Sequence, residues 1–283
     1  MVNNMIYSDM HTHGFFSDGK GTFLEFAKSA DLKGLVSLGF SDHSPVPLEN
    51  GWSMKKESLG NYFTQLKEIK EKSFDTDLYA GMELDYIPGV DVKAYIDFEN
   101  LPLDYFIGSV HYVYSEKLDK YLTVDNSLED FKYLVNKGFS GDSTAEYKAY
   151  YNNVREMICT YKPAIAAHID LVTKNNPGNL YFDTKSSEYL AEVDKTLDTI
   201  KLFGTIVEIN TGGMSRGYMD MPYPSEYILR KCNKDEIPVA LNSDAHSPGS
   251  LTFEFDKVVK MLREIGFKEI ITFKKGSWSP IRL

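Results

Sequence analysis

Short apolar runs rich in β-forming residues alternate with stretches of helical spacing along the chain, and no other feature limits the fold as much. The runs lie at residues 5–10, 34–41, 77–84, 104–110, 164–167, 205–209 and 238–241, with an eighth at 269–273. Helical patterns fill residues 22–33, 58–73, 144–161, 184–203, 225–233 and 251–265. Strands that alternate with helices pair in parallel, because each helix carries the chain back to the starting edge. Seven or eight such units in 283 residues predict an α/β fold, a closed or distorted (β/α) barrel, with a doubly wound open sheet as the competitor. A hydrophobic share of 42% is enough for a substantial core. No internal repeat or composition break divides the chain, so one domain over residues 1–283 is expected. Three long loops, at 44–59, 112–143 and 211–224, are expected to border a site.

The polar residues fall at the ends of these runs. Asp9-Met10-His11-Thr12-His13 follows the first run and Asp42-His43 the second. Glu83 ends the third, His111 the fourth and His168 the fifth, and Asp244-Ala245-His246 follows the seventh. In a parallel barrel those strand ends meet on one face, the face that carries the chemistry. Residues two apart on a strand point the same way, so His11 and His13 can share one ion. Imidazole and carboxylate without thiolate suit Zn, Mn or Fe(II). Six histidines with Glu83, Asp244 and Asp18 are too many ligands for one ion and imply two to three.

Closely spaced divalent ions suit hydrolysis of a phosphate ester. No Ser-His-Asp order, Walker loop or Gly-x-Gly-x-x-Gly is present, so a metal-bridging hydroxide is a better nucleophile than a side chain. Asp42, beside a ligand but with no metal role, is the expected proton donor or acceptor. Arg216, past a strand end, is the expected phosphate clamp. Each has a plainer alternative: Asp42 as a loop cap, Arg216 as a surface cation, Asp18 in Ser-Asp-Gly as a turn residue. Asp9, Asp85 and Asp170 read equally as orienters of ligands or as loop caps. The Gly212-Gly213 pair reads first as a turn and second as a phosphate cradle.

A net charge of −10 weighs against nucleic acid as a partner and leaves a small phosphate ester as the expected one. Two widely spaced cysteines, the lack of a leader pattern at Met1–Met5 and of any apolar run near ~20 residues lead to the expectation of a cytoplasmic protein off the membrane.

The order His11-x-His13, Asp42-His43, Glu83, Gly108-Ser109-Val110-His111, His168, Asn210-Thr211 and Asp244-x-His246 resembles the polymerase and histidinol phosphatase (PHP) family over essentially the whole chain. Within it, the stretches around His11, His43, His111, His168 and Glu208–Gly213 are similar to the histidinol-phosphatases. The resemblance implies a distorted (β/α)7 TIM-like barrel and a trinuclear site. In that scheme His11, His13, Glu83 and Asp244 hold one ion, and Glu83 bridges to a second on His111 and His168. Asp18, His43 and His246 hold a third, with Asp18 standing where many members have histidine. The implied reaction is hydrolysis of L-histidinol phosphate to L-histidinol and phosphate in histidine biosynthesis. The competing readings are a nuclease, nucleotide phosphatase or phosphatase of another small ester, a metal-storage or regulatory protein without turnover, and a barrel deacylase.

Overall fold

The alternation expected from the apolar runs is present in the computed structural model, which describes residues 7–283. Residues 5 and 6 of the first expected strand, and the Met1–Met5 stretch, lie outside the described residues. The strands are β1 (Ser8–Asp9), β2 (Ser37–Phe40), β3 (Asp77–Ala80), β4 (Glu83–Asp85), β5 (Ile107–Ser109), β6 (Tyr112–Ser115), β7 (Lys120–Thr123), β8 (Ile165–Ala166), β9 (Ile206–Asn210), β10 (Val239–Asn242), β11 (Glu269–Lys274) and β12 (Ser277–Arg282). The helices are α1 (Phe23–Lys33), α2 (Leu59–Lys70), α3 (Val92–Tyr95), α4 (Leu128–Tyr133), α5 (Ser143–Tyr161), α6 (Ser187–Phe203), α7 (Gly212–Ser215), α8 (Glu226–Lys234) and α9 (Phe255–Ile265). This is a mixed α/β fold. Among the described residues no helix is long and apolar enough to cross a membrane.

Two parallel arrays carry the site. One runs β1-β2-β3; the other runs β12-β11-β10-β9-β8-β5-β4, parallel except for the β11–β12 hairpin. Two single bridges join the arrays at the end where the histidines lie: Thr12 with Ala245, and His43 with Glu83. A hydrogen bond from His13 N to Ala245 O (2.9 Å) and one from Ser44 N to Glu83 O (2.8 Å) fix those junctions.

The expected third strand, residues 77–84, is two strands in different arrays. The break is steric. A side chain on Gly81 would lie 2.3 Å from the Tyr105 ring, and one on Gly39 would lie 2.0 Å from its hydroxyl oxygen. Tyr105 occupies that space and its hydroxyl donates to Met10 O (2.6 Å). Glu83 therefore opens β4 instead of closing β3. The expected loop 112–143 also differs: it holds the antiparallel β6–β7 hairpin and α4.

Alternation along the strands sorts the core. On β9, Val207 and Ile209 pack in the larger apolar cluster with the helices, whereas Ile206 lies in the smaller one with Met10, Ile107, Ile165 and Ala240. Glu208 and Asn210 share the face of Ile206, and Asn242 shares that of Ala240, because side chains repeat every second residue. The strands are thus apolar at their starts and polar at their ends on the inner face.

Candidate metal centre

All six histidines, Glu83 and Asp244 come together at this end, each buried or partly so. The carboxylate of Glu83 is central. Its Oε2 lies 3.3 Å from His11 Nε2, 3.5 Å from His13 Nε2 and 2.8 Å from His43 Nδ1. Its Oε1 faces different rings, His168 Nε2 at 3.2 Å and His111 Nε2 at 3.8 Å. Asp244 Oδ1 completes the first set, 3.1 Å from His13 Nε2 and 3.8 Å from His11 Nε2. On the outer side Asp18 Oδ2 lies 3.3 Å from His246 Nε2, and its Oδ1 lies 3.9 Å from His43 Nε2. Four groupings have potential ligand atoms within 4.8 Å of one another: His13 with Asp18, His43 and His246; His11 with His13 and Glu83; His11 with His168 and Asp244; His43 with Glu83 and His111.

These residues fit divalent ions. His11 Nε2, both ring nitrogens of His13, His43 Nδ1, His168 Nδ1 and Glu83 Oε2 are buried without a hydrogen-bond partner. Such atoms cost about 1–3 kcal/mol each when left unsatisfied, and this many at one spot points to a ligand that satisfies them. The electrostatics agree. Burial would raise Glu83, but the facing His43 and His11 rings hold it well below the usual carboxylate range. Burial, then the neighbouring His246 and His43, pushes His13 down to about 3, leaving it a neutral donor. Two of these residues, His168 (φ 26°) and Asp244 (φ 48°), have left-handed backbones, a strained setting that functional sites retain.

Partners behind the ligands orient them. Asp85 accepts from His111 Nδ1 at 2.6 Å, so it is an orienter. Asp9 instead accepts from Ser243 N and Thr252 N, and Asp170 from Ser225 N, so both are loop caps. Glu208 has no role assigned by the sequence patterns. Here its Oε1 accepts from His11 Nδ1 (2.7 Å) and Asn242 Nδ2 (2.9 Å), and its Oε2 from His168 N (3.1 Å) and Asn210 Nδ2 (2.9 Å). One carboxylate holds ligands from both halves of the cluster. The available signal was a lone acid among the apolar residues of β9.

Asp42, like His11 and His13, does not line the cavity over the cluster, and unlike them it joins none of the four groupings of ligand atoms. It is fully buried, and its Oδ1 accepts from Gly14 N (3.0 Å), Ser17 N (3.0 Å) and Ser17 Oγ (2.7 Å). Burial pushes it up to about 6, but burial does the same to Asp9 and Asp170, so the shift is no mark of catalysis. Its Oδ1 staples the loop that carries Asp18, while its Oδ2 is buried with no hydrogen-bond partner.

A cavity of about 260 Å³ opens over the cluster. Each long loop supplies wall: Trp52 from the first, Asp125 from the second, Arg216, Tyr218 and Tyr223 from the third, with Lys174 beside them. Arg216 lies on the cavity wall, its Nη2 3.0 Å from Asp244 Oδ2.

Residues 9–212 match the PHP domain, and the chain belongs to that family. It is 28% identical over 276 residues to a probable histidinol-phosphatase of Deinococcus radiodurans, covering 96% of this chain and 98% of that one. It is 27% identical over 263 residues to the histidinol-phosphatase of Bacillus subtilis, covering 88% of this chain and 96% of that one. Its fold matches that of a histidinol phosphate phosphatase from Lactococcus lactis, solved with zinc, L-histidinol and phosphate, with a TM-score of 0.67 and 19% identity. That match covers 96% of this chain and 98% of that one.

Proposed function

We propose that this protein is a metal-dependent phosphomonoesterase that hydrolyses L-histidinol phosphate to L-histidinol and phosphate. The observation that carries the reading is the cluster of unpartnered imidazole and carboxylate atoms at the floor of one cavity, with Arg216 on its wall. The substrate comes from the relatives named histidinol-phosphatase, whose lengths this chain spans. The same reading takes the two arrays, joined at the Thr12–Ala245 and His43–Glu83 bridges, as one distorted (β/α)7 barrel in a single domain. It places the enzyme in the cytoplasm, with a small-molecule partner.

Two to three divalent ions fit. His11, His13, Glu83 and Asp244 would hold the first, Glu83 with His111 and His168 the second, and Asp18, His43 and His246 the third. When bound, such ions activate a water and neutralise the charge that grows on the phosphoryl oxygens. The chain's own work is positional. Glu83 offers one oxygen to each of two histidine sets, Glu208 and Asp85 keep the Nδ1 atoms of His11 and His111 occupied, and their Nε2 atoms therefore face inward. Arg216 offers planar N–H donors to the phosphoryl oxygens. Trp52, Asp125, Lys174 and Tyr218 border the space left for the alcohol.

The test is a panel of phosphate esters assayed on enzyme reconstituted with Zn, Mn or Fe(II). L-Histidinol phosphate is expected to be cleaved at least tenfold faster, in kcat/KM, than nucleotides, sugar phosphates and aryl phosphates. A flat profile would remove the substrate assignment, and bound metal with no phosphate release would leave a binding protein.

A further inference from the structure

Arg216 makes three contacts. Nη2 donates to Asp244 Oδ2 (3.0 Å), and Nη1 donates to the Asp244 carbonyl (3.2 Å) and to Nδ1 of His246 (2.8 Å). A guanidinium has no lone pair to offer. The third contact, where it is made, requires that Nδ1 of the neutral His246 ring accepts and that the ring proton sits on Nε2. Nε2 is the atom that faces Asp18, and a protonated nitrogen cannot ligate an ion.

The same Nδ1 has a second partner in reach, the Asp244 carbonyl oxygen 3.0 Å away. That partner is an acceptor and needs the opposite tautomer, with the proton on Nδ1 and the lone pair on Nε2. The two partners exclude each other. Which one is used decides whether His246 can join His13, Asp18 and His43 around an ion.

The seat of Arg216 is built into the chain. A side chain on Gly212 would lie 2.6 Å from Asp244 Oδ2 and 2.8 Å from Arg216 Nη2, so only glycine leaves room for the pair. The Arg216 side chain is 31% exposed on the cavity wall, where an anion can compete for it.

We propose that Arg216 is a positioning residue that holds His246 in its non-ligating tautomer until an anion of the phosphate class takes the guanidinium. The ring then exchanges its Nε2 proton for one on Nδ1, with solvent as carrier and no net change in protonation. His246 donates to the Asp244 carbonyl, and its Nε2 lone pair completes the outer ion site. Phosphate entry and the outermost ion are thereby coupled, and the coupling is reciprocal. The inference rests on the proposed function for the outer ion site and for the identity of the anion, and not on turnover.

Two measurements test it, and the first is read on the wild-type protein. In metal-free wild type, long-range ¹⁵N–¹H correlation of the six histidines, with His246 assigned by its loss in H246Q, is expected to show His246 protonated on Nε2. The second is Mn²⁺ titration followed by electron paramagnetic resonance. R216K keeps the charge but loses the fork that spans Asp244 and His246. Without phosphate it should bind the weakest Mn²⁺ about tenfold more tightly than wild type, the worth of roughly one charge-assisted hydrogen bond. Adding inorganic phosphate should tighten that ion in wild type and have a smaller effect in R216K. A His246 protonated on Nδ1 in metal-free wild type, or equal or weaker Mn²⁺ binding by R216K, overturns the proposal. If no ester releases phosphate while the tautomer and affinities come out as expected, the phosphatase reading falls and this one stands.

Discussion

Replacing Glu208 by glutamine asks whether the metal ligands depend on the residue behind them. The glutamate accepts four hydrogen bonds, two on each oxygen. A glutamine amide can accept on one side only, so the other side becomes a contact between donors. If the oxygen stays with His11 and Asn242, His168 N and Asn210 Nδ2 lose their acceptor; if it turns over, His11 and Asn242 do. Each lost bond to a charged group is worth about 1.5–3 kcal/mol, so the local cost is about 3–6 kcal/mol. Part of it falls on the ions, since removing an outer partner of a ligating histidine lowers metal affinity about 10–100-fold. The remainder falls on the fold. The assay is competition with a chromophoric chelator, paired with thermal unfolding of metal-free protein. The expected result is at least a tenfold loss of metal affinity together with a lower melting temperature in the metal-free state. Unchanged metal affinity in a folded E208Q protein would refute the claim that this carboxylate positions the cluster.

Three further outcomes follow from the geometry. Glu146 on α5 is fully buried with both carboxyl oxygens unpartnered, and burial holds its proton well above the usual range. A raised carboxyl pKa in the folded state means that the folded state binds the proton more tightly. Stability is therefore lost as pH rises from the ordinary carboxylate value toward the folded one, by about 1.4 kcal/mol per unit. E146Q should thus melt progressively higher than wild type from about pH 5 upward, and a gap independent of pH would contradict this. Asp42→Ala removes the acceptor for three donors of the 14–17 loop, and is expected to lower the melting temperature and the occupancy of the outermost ion. Asp42→Asn, which keeps one acceptor oxygen, should retain most activity; a loss of a thousandfold or more with full metal content would assign proton transfer to Asp42. Gly212→Ala places a methyl against Asp244 and Arg216, and should cut kcat/KM at least tenfold with the fold intact by circular dichroism.

Most of the candidate ligands stand out in the sequence because they obey a rule that works without tertiary structure. His11 with His13 and Asp244 with His246 repeat at the strand period, and each follows an apolar run. The break at Gly81 was not legible, since it depends on Tyr105, a residue distant in sequence that fills the space beside two glycines. Asp42 stands apart from the grouped ligand atoms for a local reason. Adjacent residues on an extended segment point to opposite sides, so standing next to the ligand His43 is an argument against sharing its site. Glu208 was visible as an acid inside an apolar strand, but its partners come from residues 11, 168, 210 and 242, and only the packed sheet brings them within reach.

The small apolar cluster beneath the ligands, with Met10, Ile107 and Ile165 fully buried and Tyr105 beside them, closes the inner end of the strands. That cluster leaves no passage from the cavity along the inner face of the strands. Whatever part of a substrate touches the histidines goes in first and comes out last. Under the proposed function, with the phosphoryl group seated there, the alcohol is expected to leave first and phosphate second. Phosphate and substrate then compete for the same free enzyme, whereas the alcohol is expelled from a site that phosphate still fills. The order of departure is set by a plug of hydrocarbon that takes no part in the chemistry.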